Sequence, residues 1–550
     1  MARVGLVVVL IVSAVLAIQV PSVGFDYDFE KFYPADDPET QFFEEHRHRF
    51  ESDNDFIFIA LRREQGVFNK DFLQKTYDFV DTLRKDKDVR DVQSLTHLEE
   101  AVKTPFSKFV AFRPYMDLSK PKNLEKDSIR IFKRPELVNS FISEKGDALL
   151  ITLKHREFMP KLACDSLKTR LEGLIDYYEF EDYKLAGRTI GMGYYVDQMQ
   201  FETVYFIGLS FVLVIVFLII SFRSIWGVFV PLIVVTFSML WIVGFMGLVD
   251  QPINLVLTVL PSIIFVVAMS DVMHLVSKYF DELRAGKSRA DAIKVAYREV
   301  GFATLLTSVT TSVGFLTLLS INMAPIRNFG LYTAAGVMFA FMLAYTLLPS
   351  LLVLIKPPKV AYKPPRKNLW FKFLHGSFVQ VLKRRRLIFF GFIGIITVSL
   401  IGFSMVEANY FLLEDLKKES PLRQDYDYFD SELLGLRPFE MAVTVKEEGK
   451  RVTDYEVLRE MNKVEDYLLS EYGLKRTLSI VSVLKIANRT EHGGQSSYYK
   501  FPTKEETQDY LETFEKYDKD GRMKLFIDST KTRARISSTL GDVGLYEIQD

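Results

Sequence analysis

Asp271 and His274 stand together in an apolar run, Ala268-Met269-Ser270-Asp271-Val272-Met273-His274-Leu275, with Pro261 ahead of them. A spacing of three puts the two side chains on neighbouring positions of one helix face, about 60° apart. A carboxyl beside an imidazole in a low-dielectric setting can load and release a proton near neutral pH. Burial and a neighbouring charge act on the two groups in opposite senses. An Asp held in a membrane helix costs roughly 2.5–3.5 kcal/mol, which makes it a functional candidate by default. A second run downstream carries Thr304, Thr307, Ser308, Thr310, Thr311, Ser312 and Thr317. Most such hydroxyls bond the carbonyl one turn back, and small residues let helices approach. The Thr310-Thr311 pair sits mid-run, where it is expected to reach a carboxylate on the neighbouring helix. Gly314, Gly330 and Gly336 read as close-packing positions.

These side chains need helices to hold them, and the chain has seven runs near the 20 residues that span a bilayer. They are Val4–Val20, Val204–Phe222, Ile225–Val249, Ile253–Val276, Val300–Ser320, Phe329–Ile355 and Leu387–Val406. Asp271 and His274 fall in the fourth run and the threonines in the fifth. The first run follows Arg3, but Ile18-Gln19-Val20-Pro21 is a poor cleavage site, so residues 1–20 read as a retained anchor. The segment 277–299 carries Lys278, Arg284, Lys287, Arg289, Lys294 and Arg298, and 356–386 is strongly basic with no acid. Basic loops stay cytoplasmic. Residues 21–203 and 407–550 are therefore expected outside. Within the basic linker, Trp370, Phe371, Leu374, Phe378 and Leu382 share a face, as an interfacial amphipathic helix would arrange them.

Composition agrees with this segregation. Hydrophobic residues make up 49% and include 46 Phe, yet 25% are charged, an ordinary value for soluble domains. The net charge of −1 gives no footprint for nucleic acid. One cysteine, Cys164, excludes an internal disulfide, and there is no metal-ligand cluster, so no metal or cofactor is expected. No nucleophile elbow, HExxH or phosphate-binding glycine loop is present, which argues against an enzyme.

The segment 21–203 reads as an α+β domain. Strands are expected at Phe56–Leu61, Val89–Leu95 and Ala148–Leu153, and helices at Asn69–Lys85 and Leu162–Ile175. That β-α-β order suits a split, ferredoxin-like sandwich, with 102–145 as a connecting insert. The pattern then repeats. Val4 and Leu387 open the first and seventh runs, 383 positions apart, and Phe42-Phe43 is echoed by Tyr428-Phe429 after 386. Val92-x-Ser94-x-x-x-Leu98 is echoed by Ile480-x-Ser482-x-x-x-Ile486. Internal duplication is a common transporter architecture. It divides the chain into an anchor (1–20), an external domain (21–203), a five-helix core (204–355), a basic linker (356–386), a seventh span (387–406) and a second external domain (407–550). By this duplication, 407–550 is expected to be a truncated copy.

The combination of Thr310-Thr311-Ser312-Val313-Gly314-Phe315, Pro325-Ile326-Arg327-Asn328-Phe329-Gly330 and a span ending Leu347-Leu348-Pro349-Ser350-Leu351 resembles a known group. So does a fourth-run Asp followed by His274, Leu275 and Lys278-Tyr279. That group is the resistance–nodulation–division (RND) superfamily, in its MMPL and sterol-sensing branch. The resemblance covers nearly the whole chain. It implies an α-helical polytopic membrane protein with α+β porter-type external domains, multi-pass in the cytoplasmic (inner) membrane. It implies proton-driven export of lipids or other hydrophobic or amphiphilic molecules, with the coupling proton on Asp271. Family members often place Gly before this Asp and Tyr after it. Here Ser270 and Val272 stand instead, which leaves no tyrosine beside the carboxyl in sequence. Its partners would be membrane lipids, a hydrophobic substrate and protons, with self-association into a homo-oligomer left open. Two other readings remain: a sterol-sensing-like sensor that would not need Asp271, and an accessory subunit of protein translocation. The substrate is not legible, because its pocket would be lined by scattered apolar side chains.

Overall fold

Runs of Leu, Val, Ile and Phe away from water can satisfy their backbone only by closing into helices, and the longest elements of this protein are such helices. The computed structural model describes residues 2–544 apart from 27–28, 35, 51–54, 104–109, 121–122, 158, 357–368, 407–408, 410, 412, 415, 434 and 519–520. The stretch 357–368 of the basic linker at 356–386 therefore lies outside the described residues.

In chain order the first helices are α1 (Ala2–Gln19), α2 (Pro38–Phe50), α3 (Lys70–Leu83), α4 (Leu124–Phe132) and α5 (Lys161–Tyr177). The long apolar helices follow: α6 (Arg188–Phe222), α7 (Ile225–Leu248), α8 (Leu260–Arg284), α9 (Arg289–Leu316) and α10 (Ala324–Leu354). Then come α11 (Leu369–Lys383), α12 (Arg385–Ser404), α13 (Pro421–Glu432), α14 (Tyr455–Ser470), α15 (Ile480–Glu491) and α16 (Lys504–Tyr517). The first four strands are β1 (Phe56–Arg62), β2 (Val89–Ser94), β3 (Glu99–Lys103) and β4 (Val110–Pro114). The others are β5 (Ala148–His155), β6 (Tyr183–Ala186), β7 (Arg437–Thr444) and β8 (Arg533–Leu540).

Among the described residues, seven helices are long and apolar enough to cross a membrane: α1, α6 to α10 and α12. Several run past the stretch that hydropathy marks. α6 begins at Arg188 rather than Val204, α9 at Arg289 rather than Val300, and α8 continues to Arg284. Hydropathy sees only the apolar part, while polar groups carry the helix further. Ser288 caps α9 by accepting from the Asp291 amide at 3.2 Å, and Lys278 pairs with Glu282 one turn on at 3.0 Å.

The chain forms two units. The first, residues 1–41 and 196–407, is the helical one. Its core gathers Val234, Val272, Leu275, Val276, Leu343, Leu347 and Leu348. Helix α10 packs against α1, α7, α8 and α9. Helix α1 meets α7 closely enough that a β-carbon on Gly244 would lie 2.5 Å from the Leu16 carbonyl oxygen. Trp241 Nε1 donates to Ser13 Oγ at 2.8 Å, pinning the same pair. Gly330 and Gly336 are close-packing positions: added β-carbons would meet Phe315 O at 2.5 Å and Ile264 Cδ1 at 2.6 Å. Gly314 is not, since nothing lies within 4 Å of the place a β-carbon would take. No residue of α12 is buried, and Leu374, Phe378 and Leu382 of α11 are exposed, while the side chains of Trp370 and Phe371 lie outside the described residues.

The second unit, residues 42–195 and 408–550, holds the strands. A four-stranded sheet has the order β2-β5-β1-β6 with every neighbouring pair antiparallel. Helix α3 crosses from β1 to β2 and α5 from β5 to β6. Buried Ile57, Ile59 and Leu61 alternate along β1 and meet Phe79, Leu167 and Leu171 from those helices. Each contributes roughly 1.5–3 kcal/mol by burial. The 102–145 segment holds the β3–β4 hairpin's outer part and α4. A separate two-stranded sheet, β7–β8, carries its own core with Leu458, Met461, Val481 and Leu484.

Two helices reach across between these sheets. α2 lies on β7–β8, where Arg535 Nη1 donates to the Phe50 carbonyl at 3.1 Å and His46 Nε2 stands 3.5 Å from Glu440. α13 lies on β6, where Tyr426 donates to the Gly187 carbonyl at 2.9 Å and Asp425 accepts from the Leu185 amide at 3.1 Å. The echo of Val92–Leu98 in Ile480–Ile486 has no structural counterpart: the first is strand and turn, the second helix. Two apolar positions and one serine do not specify a backbone period.

Candidate functional site

Asp271 sits midway along α8 and is 4% exposed, between the core residues Ala268, Val272 and Leu275. Its helix places it against α9, where Ser308 Oγ donates to Asp271 Oδ2 at 2.8 Å. The same hydroxyl lies 2.8 Å from the Thr304 carbonyl. A serine hydroxyl has one hydrogen and two lone pairs. Against an ionised Asp271 the hydrogen points to the carboxylate. Against a neutral Asp271 the acid can donate to Ser308 Oγ while the serine hydrogen turns to the Thr304 carbonyl. The pair therefore has a satisfied hydrogen-bond arrangement for either charge state, which a buried group that gains and loses a proton requires.

The polar contacts continue along α9. Thr304 Oγ1 lies 2.6 Å from Tyr345 Oη on α10, and Ser312 Oγ donates to the Ala334 carbonyl at 3.2 Å. Tyr297 Oη donates to the Ala344 carbonyl at 2.7 Å. Thr304, Ser308 and Ser312 are buried, as are Ala292, Ala296 and Gly301 further back. These residues recur at helical spacing and form a single face turned toward α8 and α10. Beyond them, where α8 passes into α9, charges close the bundle. Lys278 pairs with Glu282 at 3.0 Å and Glu299 at 2.6 Å, and Lys287 pairs with Glu282 at 2.6 Å. Arg289 Nε donates to the Leu352 carbonyl at 2.7 Å and so caps the end of α10.

The sequence-expected residues are not all brought together. Asp271 is buried, but His274, 60° around α8, is exposed. Thr310 is exposed and its hydroxyl bonds the Leu306 and Thr307 carbonyls at 2.8 and 3.0 Å, within its own helix. Thr311 is half-buried. The hydroxyl that meets the carboxylate is Ser308. Two residues along a helix is a rotation of 200°, so Thr310 faces away when Ser308 faces α8. Tyr345 supplies an aromatic hydroxyl from α10 where Val272 offers none. A signal for Ser308 was present: Thr304, Ser308 and Ser312, four apart and continuing the small residues Ala292 and Ala296, mark the face of α9 that packs. Among the described residues no group of three or more His, Cys, Asp or Glu is placed to hold a metal.

Comparison with known proteins supplies the context. A protein of Methanocaldococcus jannaschii, named only as a membrane protein, is 28% identical over 366 residues, 64% of this chain and 89% of that one. The sulfolipid-1 exporter MmpL8 of Mycobacterium tuberculosis is 29% identical over 110 residues, 20% of this chain and 10% of the exporter. A membrane-protein relative from Bacillus subtilis is 30% identical over 168 residues, 29% of this chain and 19% of its own length. The chain thus matches only a small part of these two longer relatives. The MMPL family model matches residues 31–381, which take in α2 to α10 and with them Asp271, Ser308 and Tyr345. The chain belongs to the MMPL family, within the RND superfamily.

Proposed function

We propose that this protein is an exporter that moves lipids or other hydrophobic molecules out of the cytoplasmic membrane, driven by protons that bind Asp271. The observation that carries the reading is the buried Asp271–Ser308 pair, which can satisfy both charge states of the carboxyl. Membership of a family that includes a sulfolipid exporter supports the substrate class. His274, Thr310 and Thr311 then have outlying roles, since their side chains are turned away from the carboxyl or only partly buried.

In this reading residues 21–203 and 407–550 are porter-type domains on the outside and the basic segments 277–299 and 356–386 are cytoplasmic. The order β2-β5-β1-β6, with crossovers through α3 and α5, supports a ferredoxin-like fold for the first domain. Duplication is supported by matched elements: α2 and α13 both begin on proline, Pro38 and Pro421, 383 positions apart. β5 and β8, each eight residues, begin 385 apart. The exchange of α2 and α13 between the two sheets fits two copies related by a pseudo-two-fold axis.

The test is transport. Proteoliposomes carrying the chain and a fluorescent phospholipid analogue should show release of the analogue that requires an imposed pH gradient. Asp271→Asn proteoliposomes, prepared at equal protein content, should show none. Gradient-independent release, or equal release by Asp271→Asn, would remove the proton-coupled reading, and no release from either would favour a sensor.

A further inference from the structure

Asp271 lies deep between helices, so a proton needs a way to it. Helices α9 and α10 are antiparallel, since Ser312 meets residue 334 while Tyr297 meets residue 344. Tyr345 therefore belongs on the side of Ser308 nearer the basic turn at 285–288. Its hydroxyl is 2.6 Å from Thr304 Oγ1, and its half-buried ring stands edge-on to Tyr297 at 5.1 Å. Gly301 leaves room for that hydroxyl, because a β-carbon there would sit 2.8 Å from it. The three hydroxyls Tyr345, Thr304 and Ser308 step inward along one face, and the last touches the carboxylate.

We propose that Tyr345, Thr304 and Ser308 form the route by which protons pass between Asp271 and the side of the membrane that carries the basic turn. This rests on the reading of Asp271 as the proton-binding group. The step from Thr304 Oγ1 to Ser308 Oγ spans one helical turn without a direct hydrogen bond, and the route requires a water molecule to bridge it. Each hydroxyl accepts a proton on its oxygen and releases its own to the next, so each remains neutral after one passage, its O–H must rotate back before the next, and only Asp271 gains charge or loses it. The other titratable groups near the carboxyl do not offer this step. His274 is exposed on α8, Lys278 is engaged by Glu282 and Glu299, and Tyr297 Oη donates a hydrogen bond to the Ala344 carbonyl. Tyr345 and Thr304 are thus positioning residues for proton transfer.

Infrared spectroscopy of the full chain in lipid nanodiscs tests this without a transport substrate, by following the carboxylic C=O band after a pH jump. The band assigned to Asp271 is the one missing in Asp271→Asn. Tyr345→Phe and Thr304→Val keep shape but remove the hydroxyl. They should slow the appearance of that band by about 100-fold, the range that a placed proton-transfer group supplies, with its pH midpoint unmoved. Thr304→Ser should restore the rate. Rates within about twofold of wild type in both variants would overturn the route, on the same scale of effect. So would a displaced midpoint at unchanged rate, which would mean that the hydroxyls only adjust the carboxyl's affinity. If no band differs between wild type and Asp271→Asn, Asp271 does not take up protons and the proposed function fails before the route does.

Discussion

Holding Asp271 among Ala268, Val272 and Leu275 costs several kcal/mol unless a partner offsets it. Its partner is one serine hydroxyl, which gives a graded expectation for three substitutions. Asp271→Asn is nearly isosteric and easier to bury, so the chain should insert and fold at wild-type yield while proton-driven transport is lost. Ser308→Ala removes a hydrogen bond to a charged group, worth about 1.5–3 kcal/mol, and should lower transport about 10- to 100-fold. Thr310→Ala removes a hydroxyl that bonds only its own helix, and should stay within about twofold, as exposed self-satisfied sites do. Transport rates in proteoliposomes check all three; a Thr310→Ala loss larger than that of Ser308→Ala would contradict the placement of α9. The carboxyl was legible in the sequence because a charge in an apolar run is conspicuous by itself. Which of seven hydroxyls meets it was not, because that depends on the rotation of α9 about its axis. His274 was legible as a neighbour on the helix surface but not as an exposed one.

At the scale of elements, short apolar runs and amphipathic spacing located β1, β5, α3 and α5 within a residue or two. The ends of α6, α8 and α9 were not legible. Charged residues that hydropathy assigns to loops continue those helices through ion pairs such as Lys278–Glu282. Helix α5 is fixed to its sheet by Arg170, which donates to Asp86 at 2.6 and 2.9 Å and to Asp88 at 2.7 Å. The Arg170 guanidinium holds the Asp86 carboxyl below its usual range. A carboxyl depressed on folding contributes stability above its unfolded value, about 3.9, and that contribution fades as pH falls through the lower folded value. The sole cysteine, Cys164, is 5% exposed on the same helix, so thiol labelling reports the opening of α5. Arg170→Ala should raise the labelling rate at pH 7 about tenfold, for a loss of about 1.4 kcal/mol. In the wild type, labelling by an acid-competent disulfide reagent should accelerate only below about pH 4, and Arg170→Ala should flatten that rise. Unchanged labelling in the variant would mean that α5 is held by its apolar face alone.

For the whole molecule the deciding question is which side each part faces, and charge answers it before any substrate is known. The turn between α8 and α9 holds Lys287 and Arg289 and is flanked by Lys278, Arg284, Lys294 and Arg298. Moving such a cluster across the membrane is opposed, so this turn should remain cytoplasmic. If each of the seven apolar helices from α1 to α12 crosses, residues 21–203 and 407–550 are expected on the other side. Two glycines offer insertion points that disturb nothing. Gly286, at φ +85°, and Gly449, at φ +86°, have no atom within 4 Å of the place a β-carbon would take, and both lie in turns. A reporter inserted at Gly286 should be active only in the cytoplasm, and one inserted at Gly449 only outside it. The two positions are separated by α9, α10 and α12, an odd number of crossings, so they must differ whatever the absolute orientation. If both reporters are active on one side, one of these three helices does not cross. The bare surface of α12, with no buried residue, makes it the first to examine by accessibility labelling. If the two differ in the opposite sense, the seven crossings stand. Residues 21–203 and 407–550 would then face the cytoplasm, and export as proposed would have to run the other way.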